Sequence, residues 1–181
     1  LLIHAAVVLP LILYFVTRRN PLVYLKNASE AVTTAFSTAS SSATLPVTIE
    51  CAEEKNNVSR KASLFVLPLG ATVNMDGTAI YLGIIALFAS QALGISMGLG
   101  DYLMVALTVT VASIGTAGIP SASLFLAATV FNVMGISPEQ SIAIVALIFP
   151  FDRPLDMMRT TVNVTGDAAV AVAVAGWERS L

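Results

Sequence analysis

Charge is scarce in this sequence: only 11% of its 181 residues are charged, where a soluble domain carries about 25%. Cys51 is the one cysteine, which excludes a disulfide framework and a cysteine-based metal site. His4 is the one histidine, and no Ser-His-Asp triad is read around it. Gly115-Thr116-Ala117-Gly118 lacks a strand before and a helix after in the Gly-rich-loop manner, and no Walker-type lysine follows, which speaks against a nucleotide-binding enzyme. The chain is expected to be neither an enzyme nor a nucleic-acid binder. What remains is apolar: 56% hydrophobic residues and a mean hydropathy of +0.85 describe an all-α chain dissolved in a lipid bilayer.

The sequence starts at Leu1 without an initiator Met or a signal-peptide pattern, and its first apolar run is about 16 residues, short for a span. It is therefore expected to be a fragment of a longer protein. Leu1 to Val16 reads as the tail of a spanning helix, stopped by Thr17-Arg18-Arg19-Asn20-Pro21. His4 within it is either a proton relay or a structural histidine, the second being the commoner case. From Leu22 to Cys51 two arms of about 10 to 15 residues flank the hydroxyl-rich stretch Ser37 to Thr44. Each arm measures roughly 15 to 22 Å as helix, under the ~30 Å hydrocarbon core, so the stretch is expected to form a re-entrant hairpin; a polar surface loop is the alternative. Tyr102 to Met134, too long for one comfortable span and too short for two, is broken by Ser113 to Ser123 and reads as a second re-entrant hairpin.

The Lys and Arg residues support this layout. With the first helix leaving to the cytoplasm and both hairpins returning to their side of entry, Arg18, Arg19, Lys26, Lys55, Arg60, Lys61 and Arg179 fall on one side, and Asp101 and Glu139 on the other. Arg153 and Arg159 are exceptions in the last helix, expected from about Phe151 to Trp177. Glycosylation sequons at Asn57, Asn27 and Asn163 are discounted, the first for its basic, cytoplasmic loop and the third for its apolar helix.

Two polar clusters interrupt the apolar background. Asn74-Met75-Asp76-Gly77-Thr78 lies in the otherwise apolar run from Ala62 to Leu93, where a carboxylate costs about 2.5 to 3.5 kcal/mol on insertion scales and needs a cation, a partner charge or water. Asp156, Arg159, Thr160, Asn163 and Asp167 recur at i, i+3, i+4, i+7 and i+11, one stripe of the last helix. An Asp156–Arg159 salt bridge that merely joins helices is one reading, but it leaves Asp167 unexplained. The other reading is a site: an arginine fork for a carboxylate, an aspartate for an ammonium, and Asp76 and Asp167 with freed carbonyls around Gly70 to Asn74 and Ser113 to Thr116 as hard oxygen ligands for a small cation. Hairpin, broken helix, hairpin, polar helix is a repeated pair of modules, and one crossing helix per module forces opposite orientations, an inverted repeat. The expected divisions are residues 1–20 (end of a transmembrane helix), 21–61 (first hairpin and charged cytoplasmic loop), 62–100 (broken transmembrane helix), 101–140 (second hairpin) and 141–181 (last transmembrane helix).

Four stretches in this order, Ser40-Ser41-Ser42-Ala43-Thr44-Leu45-Pro46, Leu67 to Thr78, Ala112 to Pro120 and Asp156 to Asp167, resemble the glutamate transporter family of dicarboxylate/amino acid:cation symporters. The resemblance covers essentially the whole chain and only the C-terminal part of a family member. It implies a multi-pass plasma-membrane symporter of glutamate or aspartate, with an elevator-type transport domain and a homotrimer formed through a scaffold outside this chain. It further implies substrate contacts by Arg159 (side-chain carboxylate), Asp156 (amino group), Thr78, Thr160, Asn163 and the tips at Ser41 and Ile119. Sodium ligands implied are Gly70, Asn74, Asn163 and Asp167 at one site, Asn74 and Asp76 at a second, and Thr72, Ser113, Ile114 and Thr116 at a third, with proton coupling left open. The second hairpin would be the gate. Having both Asp156 and Arg159 points to acidic amino acids; a C4-dicarboxylate or proton-coupled symporter of the same fold and a substrate-gated anion channel are the alternatives. Ala39, Ser121 and Ser123 depart from the family's usual residues, and Ser123 stands where a close backbone approach to substrate is implied.

Overall fold

The computed structural model describes residues 1–178, and every regular element among them is helical. A π-helical turn, His4–Val8, leads into α1 (Leu9–Thr17), which starts with Pro10 in its first turn, where no N–H is needed. Arg18 in the left-handed region ends α1, and the chain turns by 111° into α2 (Pro21–Asn27), capped by Asn20, whose side chain accepts from the Leu22 N–H. α3 (Ser29–Thr38) and α4 (Ser41–Glu50) form the first helical hairpin, followed by a second π-helical turn, Cys51–Lys55.

α5 (Arg60–Val73), capped by Ser59, and α6 (Asp76–Ala92) are separated only by Asn74 and Met75. Together, Arg60–Ala92 is the one stretch of the described residues long and apolar enough to cross a membrane; α1 with its preceding turn and α2 would be a second if the bent pair counts as one. α7 (Leu99–Ile114) and α8 (Ala122–Val133) form the second hairpin, and α9 (Pro138–Glu178) closes the described chain. Many large apolar side chains point outward, among them Phe125 at 82% and Leu99 at 77% exposure. That is unlike a water-soluble surface and suits contact with lipid.

α9 is the central element, touching α1, α3, α4, α5, α6 and α8. One core joins its C-terminal half, through Ala168, Ala171, Val172 and Ala175, to Leu13, Tyr24, Val66 and Leu67; small residues there let helices approach closely. The other core joins its N-terminal half, through Ile144 and Ile148, to Leu82, Ile85, Val130 and Phe131 of α6 and α8. The polar stripe of α9 lies between the two. At one end of the molecule the basic loops meet: Arg19 donates to the Asn56 carbonyl (3.1 Å), Asn27 to the Lys55 carbonyl (2.7 Å), Lys55 pairs with Glu30 (2.7 Å) and Ser59 donates to Glu178 (2.7 Å). Arg179, expected on the same side, lies outside the described residues.

Three details differ from the sequence reading. α9 begins at Pro138 rather than near Phe151 and runs through Pro150 and Pro154. Ser137 and Gln140 cap it reciprocally, Ser137 N–H to Gln140 Oε1 at 3.1 Å and Gln140 N–H to Ser137 Oγ at 3.3 Å, and packing outweighs the hydrogen bond each proline forfeits. The first tip is two residues, Ala39 and Ser40, because Ser37, Thr38 and Thr44 turn their hydroxyls back onto helix carbonyls and remain helical. Asp101, expected at the end of a weakly polar turn from about Gly94, belongs to the first turn of α7, where it accepts from the Gly98 N–H (2.8 Å).

Candidate functional site

The two hairpin tips meet beside the middle of α9. Ala39 takes a left-handed conformation (φ 51°) that reverses the chain, and Ser40 caps α4 by accepting from the Ala43 N–H. Ser40 Oγ donates to the Gly118 carbonyl of the second tip (2.6 Å), and the Ser42 N–H donates to the same oxygen (3.2 Å). Only a glycine fits there: a Cβ on Gly118 would lie 2.7 Å from Ser42 Oγ and 3.2 Å from the Ala71 carbonyl oxygen.

Below this contact lies a cavity of about 20 Å³, room for one or two waters. Of the residues expected to bind substrate, Ser41, Thr78, Ile119, Asp156, Thr160 and Asn163 line it, together with Ser123. Arg159 does not. Its guanidinium is 1% exposed and lies behind the wall, donating to Asp156 Oδ1 (2.7 Å) and Asp152 Oδ1 (3.2 Å) and stacking 3.9 Å above the Tyr81 ring. The salt bridge weighed from sequence is therefore present, and it has a third member: Asp152 also accepts from Tyr81 (3.0 Å) and from the Ser121 hydroxyl (3.0 Å), while the Ser121 N–H donates to Asp156 Oδ2 (2.8 Å). Five donors reach the two carboxylates, so every charged group here is hydrogen-bonded, although one guanidinium serves two carboxylates. Asp152 escaped the sequence reading although it continues the stripe, four residues before Asp156 and seven before Arg159; it falls at the very start of the expected helix, between Pro150 and Pro154. Tyr81 gave no local signal.

The second cluster sits at the break between α5 and α6. Asn74 donates to Asp167 Oδ1 (3.0 Å), and a Cβ on Gly70 would come within 2.6 Å of the same oxygen, so Gly70, Asn74 and Asp167 are drawn together. Asp76 accepts from the Gly77 N–H (3.0 Å) and pairs with His4 Nε2 at 2.6 Å across 72 residues. The single histidine, undecided from sequence, thus has a carboxylate partner. Asn163 connects the two clusters: its Oδ1 accepts from the Gly77 N–H (2.8 Å), and its Nδ2 faces Thr78 Oγ1 (3.3 Å) on the cavity wall. Among the described residues no three His, Cys, Asp or Glu side chains converge as they would for a transition metal. Carboxylate, amide and carbonyl oxygens are the donors on hand, and they suit a hard cation.

The third expected cation set is more dispersed. Ser113 and Thr116 are buried where α7 ends, and the Thr116 N–H takes the Ser113 carbonyl (3.1 Å). Thr72 and Ile114 are exposed, the Thr72 hydroxyl bonding its own helix at Leu69.

The sequence profile of the sodium:dicarboxylate symporter family matches residues 1–177. A Caenorhabditis elegans protein provisionally named sodium-dependent excitatory amino acid transporter glt-4 is 49% identical over 174 residues, 96% of this chain and 34% of that protein. Human excitatory amino acid transporter 1 is 45% identical over 168 residues (93% of this chain, 30% of that protein), and mouse excitatory amino acid transporter 3 is 46% identical over the same length (93% and 31%). The chain spans about a third of the length of these curated relatives.

Proposed function

Because this chain belongs to the sodium:dicarboxylate symporter family, we propose that it forms the substrate- and cation-binding part of a secondary symporter that carries glutamate or aspartate with sodium across the plasma membrane. The observation that carries this reading is the buried Asp152–Asp156–Arg159 group set directly behind a cavity walled by both hairpin tips. Asp156 takes the substrate's amino group and Arg159 its side-chain carboxylate, with Ser41, Thr78, Ile119, Thr160 and Asn163 completing the pocket.

Entry requires the second tip to lift, since the cavity is smaller than any amino acid. Lifting releases the Ser121 bonds to Asp152 and Asp156 and the Gly118 bonds to the first tip, and it frees Asp156 for an ammonium. Charge explains the coupling. The three α9 groups sum to one negative charge and an acidic amino acid adds another, so substrate without cations would concentrate like charge in a buried site. Sodium, the co-transported cargo, is taken up at Gly70, Asn74, Asn163 and Asp167, at Asn74 and Asp76, and at Thr72, Ser113, Ile114 and Thr116. Asn163 belongs to both sets of contacts, which supports a reciprocal dependence of the two affinities.

The two hairpin-plus-helix units are the inverted repeats of an elevator-type transport domain, with the second hairpin as gate and a homotrimer assembled through segments outside this chain. The test is uptake of labelled L-aspartate into liposomes containing the full-length parent protein. Uptake that needs an inward sodium gradient and is blocked by glutamate but not by succinate is expected. Sodium-independent uptake, or competition by succinate alone, overturns the ion or the substrate assignment.

A further inference from the structure

Arg153 belongs neither to the basic end of the molecule nor to the buried charge group. It is exposed on α9 next to Phe149, Phe151 and Pro154, which are exposed as well, and it enters none of the ion pairs among the described residues. The other basic residues that reach the surface, from Arg18 to Lys61, lie in or beside the loops that meet at the basic end. Away from that end the remaining exposed charges are acidic, Asp101 at the start of α7 and Glu139 at the start of α9. A cation set among apolar side chains of a membrane helix calls for water or a counter-charge.

Its place on α9 indicates which. The second tip crosses the helix here: Ser121 holds Asp152 with its hydroxyl (3.0 Å) and Asp156 with its N–H (2.8 Å). Arg153 follows Asp152 directly and stands one turn before Asp156, about 60° round the helix and about 4.5 Å along it. It therefore flanks the stretch that the tip covers, without lining the closed cavity. When the tip lifts, Arg153 stands at the margin of the opening. Beyond that margin the charge is unfavourable to an acidic amino acid, since Asp152, Asp156 and Arg159 sum to one negative charge and Asp101 and Glu139 add two on the surface. A cation on the approach offsets that repulsion, most effectively where apolar walls focus its field. We propose that Arg153 guides the anionic substrate into the opened site, raising its rate of arrival without being a contact of the bound state. This rests on the symporter reading given above. The counter-charge of Arg153 is then the arriving carboxylate, and no fixed partner is required.

The test compares wild type, Arg153→Gln, Arg153→Glu and Arg153→Lys as full-length parent protein in liposomes. Initial uptake of dilute labelled L-aspartate, which reads kcat/KM, is measured at fixed sodium while choline chloride sets the ionic strength between about 0.02 and 0.5 M. At low ionic strength Arg153→Gln is expected to lower kcat/KM about threefold and Arg153→Glu about tenfold, with Arg153→Lys like the wild type. At high ionic strength the four are expected to converge, and kcat and melting temperature are expected to stay the same throughout. Arg153→Gln that matches the wild type at low ionic strength overturns the proposal. So does a loss that persists at high ionic strength, the mark of a direct contact, or one accompanied by a lower melting temperature, the mark of a structural pair. Wild-type protein that takes up no aspartate removes the symporter reading itself, whereas active wild type with an indifferent Arg153→Gln removes only this role.

Discussion

The two hairpin tips bond on opposite terms. The first is two residues long and closes on itself: Thr38 Oγ1 accepts from the Ser40 N–H, Ser40 Oγ from the Ala43 N–H, and Thr44 donates to the Ser40 carbonyl. The second, Gly115 to Ser121, makes local turns of its own, Thr116 N–H to the Ser113 carbonyl and Ile119 N–H to the Ala117 carbonyl, and is held besides by distant partners, Asp152 and Asp156 on α9 and Ser40 and Ser42 on the first tip. Bonds made within a few residues survive a rigid displacement; bonds made to other elements are what an opening breaks. In the proposed symporter the first hairpin would be the fixed wall and the second the movable one.

The harshest way to break this asymmetry is Arg159→Ala, which leaves Asp152 and Asp156, the anchors of the second tip, without their cation. Removing one partner of a buried pair costs about 3 to 5 kcal/mol. Aspartate uptake is expected to fall by more than about 100-fold, with uptake of a neutral amino acid the least affected; an unchanged aspartate KM would sink the role of Arg159.

A smaller effect is expected from Gly118→Ala, whose added Cβ meets Ser42 Oγ at 2.7 Å where the tips touch. Forcing the tips apart at a cost of about 1 to 2 kcal/mol raises the aspartate KM roughly tenfold. Gly115→Ala is the comparison, since its Cβ would approach only the Ala112 carbonyl, at 3.9 Å. Equal damage from both variants would show that tip contact is not what matters.

Ser40→Ala should do least to transport. It removes a helix cap worth about 1 kcal/mol and one of the two bonds from the first tip to the Gly118 carbonyl, the Ser42 N–H remaining, and is expected to lower the melting temperature by about 3 °C, with a KM change below about threefold. A large KM change at unaltered melting temperature would reverse the comparison and make the first tip the moving one.

What could be read from the sequence was local. Apolar runs gave the helices, Gly77 beside Asn74 and Asp76 marked the break, and the spacing from Asp156 to Asp167 marked one face of α9. The meeting of Ser40 with Gly118 and of His4 with Asp76 joins residues 78 and 72 positions apart, and nothing periodic announces such pairs. Asp152 was legible by spacing, but it lies between two prolines that argue against a helix, and only the packing around α9 overrides them. The length of the first tip followed from hydroxyls that turned inward to their own helices, a choice that composition leaves open.

α9 runs unbroken past Asp156, Arg159, Asn163 and Asp167, and that continuity fixes their phase. Inserting one residue between Asn163 and Asp167 would turn Asp167 by about 100° and advance it about 1.5 Å, carrying it off Asn74 while leaving the substrate end in place. Insertions and deletions in this molecule are thus unequal events: in this four-residue interval they would part Asp167 from Asn74, and with it the proposed cation site from the proposed substrate site.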